Sequence, residues 1–229
     1  MCDQHEQVDV RERILATNDR DAARLREELA GSGTLMVNLI SSPGSGKTSV
    51  LQALIPRLPR ERRVACLVGD VETELDAERL RRTGAPARQI LTGGACHLDA
   101  RQVHHQLSHL VAEPPEILFV ENVGNLVCPS TYDLGEDFKI GLLSVTEGDD
   151  KPFKYPALFS RADVTLFTKV DLLPHVDFDL DRARDQLLRL RPDATVLRTS
   201  VRTGEGLDAL RDLLEARRAA KQVPSGMAV

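Results

Sequence analysis

The chain has 229 residues, which suits one domain with short appendages, and carries a net charge of −5. That acidic balance, with six phenylalanines, two tyrosines and no tryptophan, argues against a nucleic-acid partner, whose site needs clustered cations and stacking rings. No apolar run approaches the ~20 residues that cross a bilayer, and the first residues lack the apolar region of a secretory signal. A cytoplasmic protein without a membrane partner is therefore expected.

Residues 1–33 are predicted to form an accessory helical segment, because their apolar residues recur at helical spacing among many charges. We expect Asn18-Asp19 to interrupt this helix and Gly31-Ser32-Gly33 to form a flexible joint. Cys2 and His5 are two further metal-ligand types, but two groups in an unstructured terminus predict only weak binding.

Residues 34–220 show a different pattern, in which short buried runs alternate with helical stretches and predict one domain. Strands are predicted at 34–40, 64–68, 117–120, 141–145, 164–168 and 195–197. Helices are predicted at 48–58, 74–82, 99–111, 155–161, 179–190 and 207–217. This alternation favours a three-layer α/β fold with a mostly parallel sheet and helices on both faces. Residues 141–145 follow a loop, which allows one antiparallel strand there, and 221–229 are expected to form a flexible tail.

The segment from Ser41 to Thr48 joins the first strand to the first helix and matches the phosphate-loop pattern, with Ser41 in place of its first glycine. Small residues let backbone amides wrap a β-phosphate, Lys47 neutralises phosphate oxygens, and the Thr48 hydroxyl is a ligand for Mg²⁺. The nucleotide contacts predicted here are Gly44, Ser45, Gly46, Lys47, Thr48 and Ser49. The motif and its context place the chain among P-loop NTPases.

Three carboxylates complete the predicted catalytic site. Asp70 and Glu121 each end a buried strand, where they are candidate Mg²⁺ ligands with Thr48. Asp76 is a candidate for orienting the attacking water, and its alternative is a solvated carboxylate in the first turn of a helix. Together with Lys47 and Glu121, Asp76 forms the predicted catalytic set.

Residues 168–171, Thr-Lys-Val-Asp, indicate guanine recognition at the end of a buried strand. Asp171 can accept hydrogen bonds from the ring N–H and the exocyclic amine of guanine, and Lys169 can pack its stem over the ring. GTPases typically carry Asn where this chain has Thr168, so we expect the loop to lose a bracing amide. Ser200 and Val201 lie in a later loop that is typical of backbone contacts to the base.

A candidate site for a transition metal is formed by Cys96, His97 and Cys128, since two thiolates and an imidazole suit Ni²⁺ or Zn²⁺. Cys128 lies seven residues after Glu121, on a segment placed to respond to the γ-phosphate. Cys66, inside a strand, is interpreted as a small core residue. The histidines of the following helix are interpreted as surface residues; they are His104, His105 and His109.

These motifs resemble the HypB family, the nickel-incorporation GTPases of NiFe-hydrogenase maturation, over about residues 34–215. The specific pieces are the phosphate loop, Cys96-His97-Leu98-Asp99-Ala100, the run from Glu121 to Pro129, and Lys151-Pro-Phe-Lys-Tyr-Pro156. The resemblance implies GTP/GDP binding with Mg²⁺, a nucleotide-promoted homodimer with metal held near the subunit interface, and two maturation partners. Those partners are a small zinc-binding helper and the hydrogenase large-subunit precursor.

Two departures from the family pattern limit what the resemblance implies. Many relatives carry an N-terminal segment rich in Cys or His, where this chain has only Cys2 and His5, so metal storage is not expected. Arg101 stands where some relatives have a further His, which puts a second metal ion in doubt. The competing functions are a urease-type nickel accessory GTPase, a small-molecule P-loop kinase and a metal store or sensor.

Overall fold

The computed structural model describes the backbone of residues 2–70 and 74–222, with side chains from residue 12 onward. Within these residues the seven strands are β1 (Leu35–Ser41), β2 (Val64–Asp70), β3 (Ala87–Leu91), β4 (Ile117–Glu121), β5 (Phe138–Ser144), β6 (Val164–Thr168) and β7 (Thr195–Arg198). They form one sheet in the order β3-β2-β4-β1-β5-β6-β7. Every described strand pair is parallel, so the antiparallel strand allowed at 141–145 is wrong.

The helices of the described chain alternate with the strands along the sequence, beginning with α1 before β1, and cover both faces of the sheet. They are α1 (Cys2–Ser32), α2 (Lys47–Leu54), α3 (Leu75–Arg81), α4 (Ala100–Ser108), α5 (Cys128–Thr131), α6 (Lys151–Lys154), α7 (Pro156–Phe159), α8 (Leu180–Leu190) and α9 (Leu207–Gln222). Short 3₁₀ turns span Ile55–Arg57 and Val170–His175. The three-layer α/β prediction is confirmed.

Alternation along β1 shows how the two faces are built. Leu35, Val37 and Leu39 join a core made with α2, α3 and α9 on one face. Met36 and Ile40 point to the other face, where α1 and α4 cover one half and α7 and α8 the other. These cores are aliphatic apart from a few phenylalanines, as the composition requires.

α1 is one continuous helix, so the predicted interruption at Asn18-Asp19 is wrong. The Asn18 amide donates to the carbonyl of Asp133 (2.8 Å) and accepts from the backbone N–H of Ala100 (3.0 Å), at the start of α4. This side chain therefore binds other elements instead of competing with its own helix. The expected joint at 31–33 forms a hydrogen-bonded helix end, with Gly33 at φ +70° and the Thr34 N–H bonded to the Leu29 carbonyl.

The structure differs from the sequence predictions at β3 and at the end of α9. β3 was not predicted, because Arg88 and Gln89 interrupt its apolar pattern at the edge of the sheet. α9 runs to Gln222, and Lys221, placed in the flexible tail by the sequence, donates to the Thr34 carbonyl and the Asp137 carboxylate. Residues 223–229 lie outside the described part of the chain, as do the side chains of Cys2 and His5. No helix among the described residues is long and apolar enough to span a membrane.

Candidate functional site

The phosphate loop connects β1 to α2 at the carboxyl edge of the sheet. Gly44 has φ +75°, and Gly46, the residue before α2, has φ +102°, conformations that only glycine adopts without strain. The loop therefore turns sharply and leads into the amino-terminal end of α2, whose free N–H groups attract anions. This backbone geometry is the one that the predicted phosphate loop requires.

Lys47 lies at the start of α2 and is buried, with its Nζ donating to Ser41 Oγ at 3.2 Å. Burial lowers the pKa of Lys47, whereas the carboxylates of Glu121, Asp76, Glu147 and Asp70 act in the opposite direction. Asp70, the last residue of β2, is one of these four carboxylates. The lysine thus stands among carboxylates where a phosphate anion could take over the charge pairing.

Glu121 ends β4 and is 5% exposed, and its Oε1 accepts a hydrogen bond from Thr48 Oγ1 at 2.8 Å. The other carboxylate oxygen, Oε2, is buried and has no hydrogen-bond partner among the described residues. Burial raises the pKa of Glu121 to about 7, and the nearby Lys47 ammonium partly opposes this. An orphaned buried carboxylate oxygen beside a threonine hydroxyl is a set of hard oxygen donors that fits Mg²⁺.

Asp76 lies in the first turn of α3 and pairs with Arg79, Oδ1 to Nη1 at 3.0 Å. Arg79 Nη2 also donates to Ser49 Oγ at 2.9 Å and to Gln52 Oε1 at 3.2 Å, which ties α3 to α2. Two predicted site residues, Asp76 and Ser49, are therefore held by one guanidinium group. Sequence reasoning missed Arg79, which has no motif of its own.

The loop after β6 packs directly on the phosphate loop. Thr168 Oγ1 donates to the Ser45 carbonyl at 2.7 Å, and Lys169 Nζ donates to the Gly44 carbonyl at 2.8 Å. Thr168 lacks the amide of an asparagine, as expected, but its hydroxyl braces the phosphate loop in a different way. Lys169 has φ +58°, a left-handed conformation that is uncommon for a side chain and occurs often at functional sites.

Asp171 accepts a hydrogen bond from Ser200 Oγ at 2.6 Å, and Ser200 Oγ in turn accepts from the Thr203 N–H at 3.2 Å. Asp171 and Val201 line a cleft of about 340 Å³ that also includes Ser45, Gly46 and Ser49 of the phosphate loop and helix α2. The structure thus brings the two predicted parts of the nucleotide site to one opening. Arg202 lines it as well and was not predicted.

The three predicted metal ligands also come together. One donor atom each from Cys96, His97 and Cys128 lies within 4.8 Å of the others, and Cys96 Sγ is 3.7 Å from His97 Nδ1. The His97 ring stacks on Tyr132, with centroids 3.7 Å apart, and burial lowers the pKa of His97. A lowered pKa favours the neutral imidazole, which is the form that binds a metal ion.

The remaining cysteine and histidine candidates lie outside this cluster. Cys66 is fully buried, and that burial raises its pKa, as expected for an inert core thiol. His104 pairs with Glu28 on the surface at 2.9 Å, and His105 contacts His109 ring to ring. None of the three histidines belongs to a group of potential metal ligands among the described side chains.

Asn122 and Gly124 join the Cys96-His97-Cys128 cluster to the phosphate loop. The Asn122 side-chain oxygen accepts from the N–H of Leu98, the residue after His97, at 3.3 Å, and its amide donates to Asn38 of β1. Gly124 lies so close to Pro43 that an added Cβ would be 3.0 Å from the backbone of that proline. The segment that leads from Glu121 to Cys128 therefore packs on the phosphate loop without spare room.

Comparison with known proteins places this geometry in a family. The sequence profile described as "CobW/HypB/UreG, nucleotide-binding domain" matches residues 35–198. The hydrogenase maturation factor HypB of Azotobacter vinelandii is 52% identical over 194 residues, which cover 85% of this chain and 64% of that protein. The chain belongs to the HypB family. The chain spans just under two thirds, 64%, of the length of this relative.

Two HypB crystal structures share the fold at family-level identity. HypB from Helicobacter pylori, solved in complex with nickel, has a TM-score of 0.85 and 37% identity over 89% of this chain and 96% of that chain. HypB from Archaeoglobus fulgidus has a TM-score of 0.84 and 38% identity over 89% of this chain and all of that chain. The resemblance seen in the sequence motifs is thereby confirmed.

The raised pKa of Glu121 leads to a stability prediction. Its folded pKa of about 7 lies above the usual 4.5, so the folded state holds an extra proton between these values and stability falls as pH rises through that window. Above pH 7 the buried charge costs up to about 3 kcal/mol, since each pKa unit corresponds to about 1.4 kcal/mol.

We therefore expect Glu121→Gln to raise the free energy of unfolding of the metal-free, nucleotide-free protein at pH 8 by about 2–3 kcal/mol. At pH 5 the gain should shrink to well under half. Urea denaturation of both proteins at the two pH values measures this, with Glu78→Gln on exposed α3 surface as the control. An equal gain at both pH values would show that the effect does not come from the Glu121 charge.

Proposed function

We propose that this protein is a GTP-hydrolysing metallochaperone that couples nucleotide turnover to nickel insertion during NiFe-hydrogenase maturation. The proposal rests on the contact between the Cys96-His97-Cys128 cluster and the phosphate loop. Asn122 and Gly124 provide this contact. A nucleotide site or a metal site alone would fit several functions. Their direct packing supports a switch that acts on a bound metal ion.

The phosphates would be held by the backbone of the loop from Gly44 to Gly46, with Lys47 as the cation for the β- and γ-oxygens. Mg²⁺ would be held by Thr48 and Glu121, with Asp70 nearby, and when bound it supplies positive charge against the phosphate oxygens. We assign to Asp76 the orientation of the attacking water. Its present partner Arg79 pairs with this carboxylate and holds it on the α3 surface that faces α2.

Guanine recognition is assigned to Asp171, with Lys169 packed over the base and the backbone of Ser200 and Val201 alongside. The Ser200 hydroxyl already donates to one Asp171 oxygen, which fixes the carboxylate plane at the cleft. A carboxylate that accepts two hydrogen bonds suits the donor pair of guanine, and adenine lacks that pair.

Nickel is proposed as the cargo of Cys96, His97 and Cys128, in line with the nickel-bound HypB neighbour. Zn²⁺ suits the same ligands. Three protein ligands leave a coordination position open, which favours transfer of the ion over permanent storage. The proposed partners are a second copy of the chain when nucleotide is bound, a zinc-binding helper and the hydrogenase large-subunit precursor.

The competing functions make different demands on the chain. A small-molecule kinase needs an acceptor, so GTP turnover without any acceptor supports hydrolysis. A metal store should bind many ions per chain, whereas the cluster described here offers one three-residue site. A urease-type accessory role shares the nucleotide site, and the HypB relatives favour hydrogenase maturation over it.

Asp171→Asn provides the test of base recognition. Because Ser200 Oγ donates to the side-chain oxygen, the new amide should direct its NH₂ group toward the 2-position of the base, where xanthine presents a carbonyl. Loss of a charge-assisted hydrogen bond predicts a roughly 10- to 150-fold loss in GTP affinity, with a gain for XTP. Competition binding of GTP and XTP measures the ratio, with Asp177→Asn as a control. An unchanged ratio would remove Asp171 from base recognition.

A further inference from the structure

Glu147, in the loop that follows β5, lies outside the nucleotide motifs and contacts the phosphate loop through the side chains of Ser42 and Ser45. Its Oε1 accepts from Ser45 Oγ at 2.7 Å, and its Oε2 accepts a short hydrogen bond from Ser42 Oγ. The Ser144 N–H also points to Oε1, at 3.3 Å. One carboxylate therefore gathers two phosphate-loop hydroxyls and the end of a strand.

The two serine side chains of the phosphate loop are buried. Ser45 is 0% exposed and Ser42 is 8% exposed, so both hydroxyls are shielded from solvent. Buried hydroxyl groups need partners, and hydrogen bonds to an ionised acceptor are stronger than those between neutral groups. Glu147 offers one carboxylate oxygen to each hydroxyl, in addition to the contacts that Ser45 Oγ makes with the Ser42 hydroxyl and carbonyl.

The loop that carries Glu147 is itself fixed at both ends of its turn. The Val145 N–H donates to the Thr168 carbonyl at 3.1 Å, and the Glu147 N–H donates to the Ser144 carbonyl at 3.0 Å. Thr168 is the same residue that braces Ser45 from the base-recognition side. The phosphate loop is thus held by two adjoining strand ends, through Thr168 on its backbone and Glu147 on its side chains.

We propose that Glu147 is a positioning residue of the nucleotide site, which holds the phosphate loop in its anion-binding conformation by anchoring Ser42 and Ser45. The inference rests on the proposed nucleotide function of this loop. Glu147 acts on the loop and does not touch reacting atoms. The loop amides wrap the β-phosphate of substrate and product alike. Loss of the Glu147 side chain should therefore weaken the binding of GTP and of GDP equally and change kcat less.

The test compares Glu147→Ala, Glu147→Gln and the control Asp149→Asn, two residues away, whose side chain pairs with Arg182 and not with the phosphate loop. We expect about tenfold weaker GDP binding for the alanine variant, if release of the two serines lowers the population of the anion-binding loop conformation to about a tenth. The glutamine variant keeps one acceptor oxygen and should recover part of the loss, and Asp149→Asn should bind as the wild type does. KM for GTP should rise by the same factor, with kcat within about threefold.

A double-mutant cycle separates positioning from a general loss of stability. Ser45→Ala and Glu147→Ala remove the same hydrogen bond, so their effects on GDP affinity should not add in the double variant. Additive losses, or unchanged GDP affinity in Glu147→Ala, would overturn the assignment. Wild-type turnover of GTP is measured in parallel, and its absence would contradict the proposed function while leaving the GDP-binding comparison intact.

Discussion

Lys47→Ala is expected to reduce GTP turnover at least about 10²–10³-fold, the scale seen when one preorganised stabilising group is removed from an active site. Lys47 is buried, donates to Ser41 at 3.2 Å and lies among four carboxylates. Without it, the phosphates would meet the acidic surround with no ammonium to offset their charge, and that cost grows as charge develops during transfer. The measurement is phosphate release under saturating GTP and Mg²⁺.

The control for this change removes an equal charge elsewhere. Arg60 is exposed in the segment before β2, at the opposite edge of the sheet from the phosphate loop, so Arg60→Ala should turn over GTP as the wild type does. Thermal unfolding of both variants without nucleotide checks that the fold is intact. Turnover of Lys47→Ala within a few-fold of the wild type would contradict the assignment of the phosphate loop.

Cys128→Ser is expected to weaken nickel binding by more than the 10- to 100-fold that outer-shell changes cause, because under the proposal it replaces a coordinating thiolate with a harder oxygen. Donor atoms of Cys96, His97 and Cys128 lie within 4.8 Å of one another, so loss of one leaves two ligands. Guanine nucleotide binding should change little, since Cys128 does not line the nucleotide cleft. Titration of Ni²⁺ into each protein, with GDP present, gives the affinities.

A second cysteine provides the matched control. Cys66 is buried in β2 and is not part of the described cluster, so Cys66→Ala should leave the nickel affinity unchanged. Equal losses in the two variants would indicate an effect on the fold. Retention of wild-type nickel affinity in Cys128→Ser would remove this residue from the metal site.

The parts of the site that could be predicted from the sequence are those marked by residue types at short, fixed spacing. The phosphate loop follows from residue types at fixed spacing between a strand and a helix, and its glycines have the positive φ angles that such a turn requires. Spacing alone could not predict that Cys128 joins Cys96 and His97, because Cys128 is distant from them in the sequence. The parallel sheet brings them together, since its carboxyl ends meet at one edge.

The features that sequence reasoning missed depend on tertiary contacts. Asn18 reads as a helix breaker by propensity, but its amide bonds to α4 and to the segment after α5, and the helix continues. Thr168 lacks the amide that an asparagine would use to brace the loop. The structure shows that its hydroxyl donates a hydrogen bond to the Ser45 carbonyl instead. Arg79 and Glu147 belong to no spacing rule, because their partners come from other elements.

Coupling between the two sites has a physical basis in the segment after β4. Glu121 at its start bonds to Thr48 of the phosphate site, and Cys128 at its end belongs to the metal cluster. Gly124 packs against Pro43, and Asn122 holds the backbone next to His97. A shift of this segment with the γ-phosphate would move one thiolate relative to the other ligands, and metal–sulfur bonds near ~2.3 Å tolerate little displacement.

The most direct test is the nickel affinity of the wild-type protein measured by titration in two states, with GDP and with a non-hydrolysable GTP analogue. A coupling free energy of ~1–3 kcal/mol predicts affinities that differ roughly 5- to 150-fold. By linkage, nickel must change the preference between the two nucleotides by the same factor, which a second titration checks. Equal nickel affinities in the two states would contradict the proposal that nucleotide turnover acts on the bound metal.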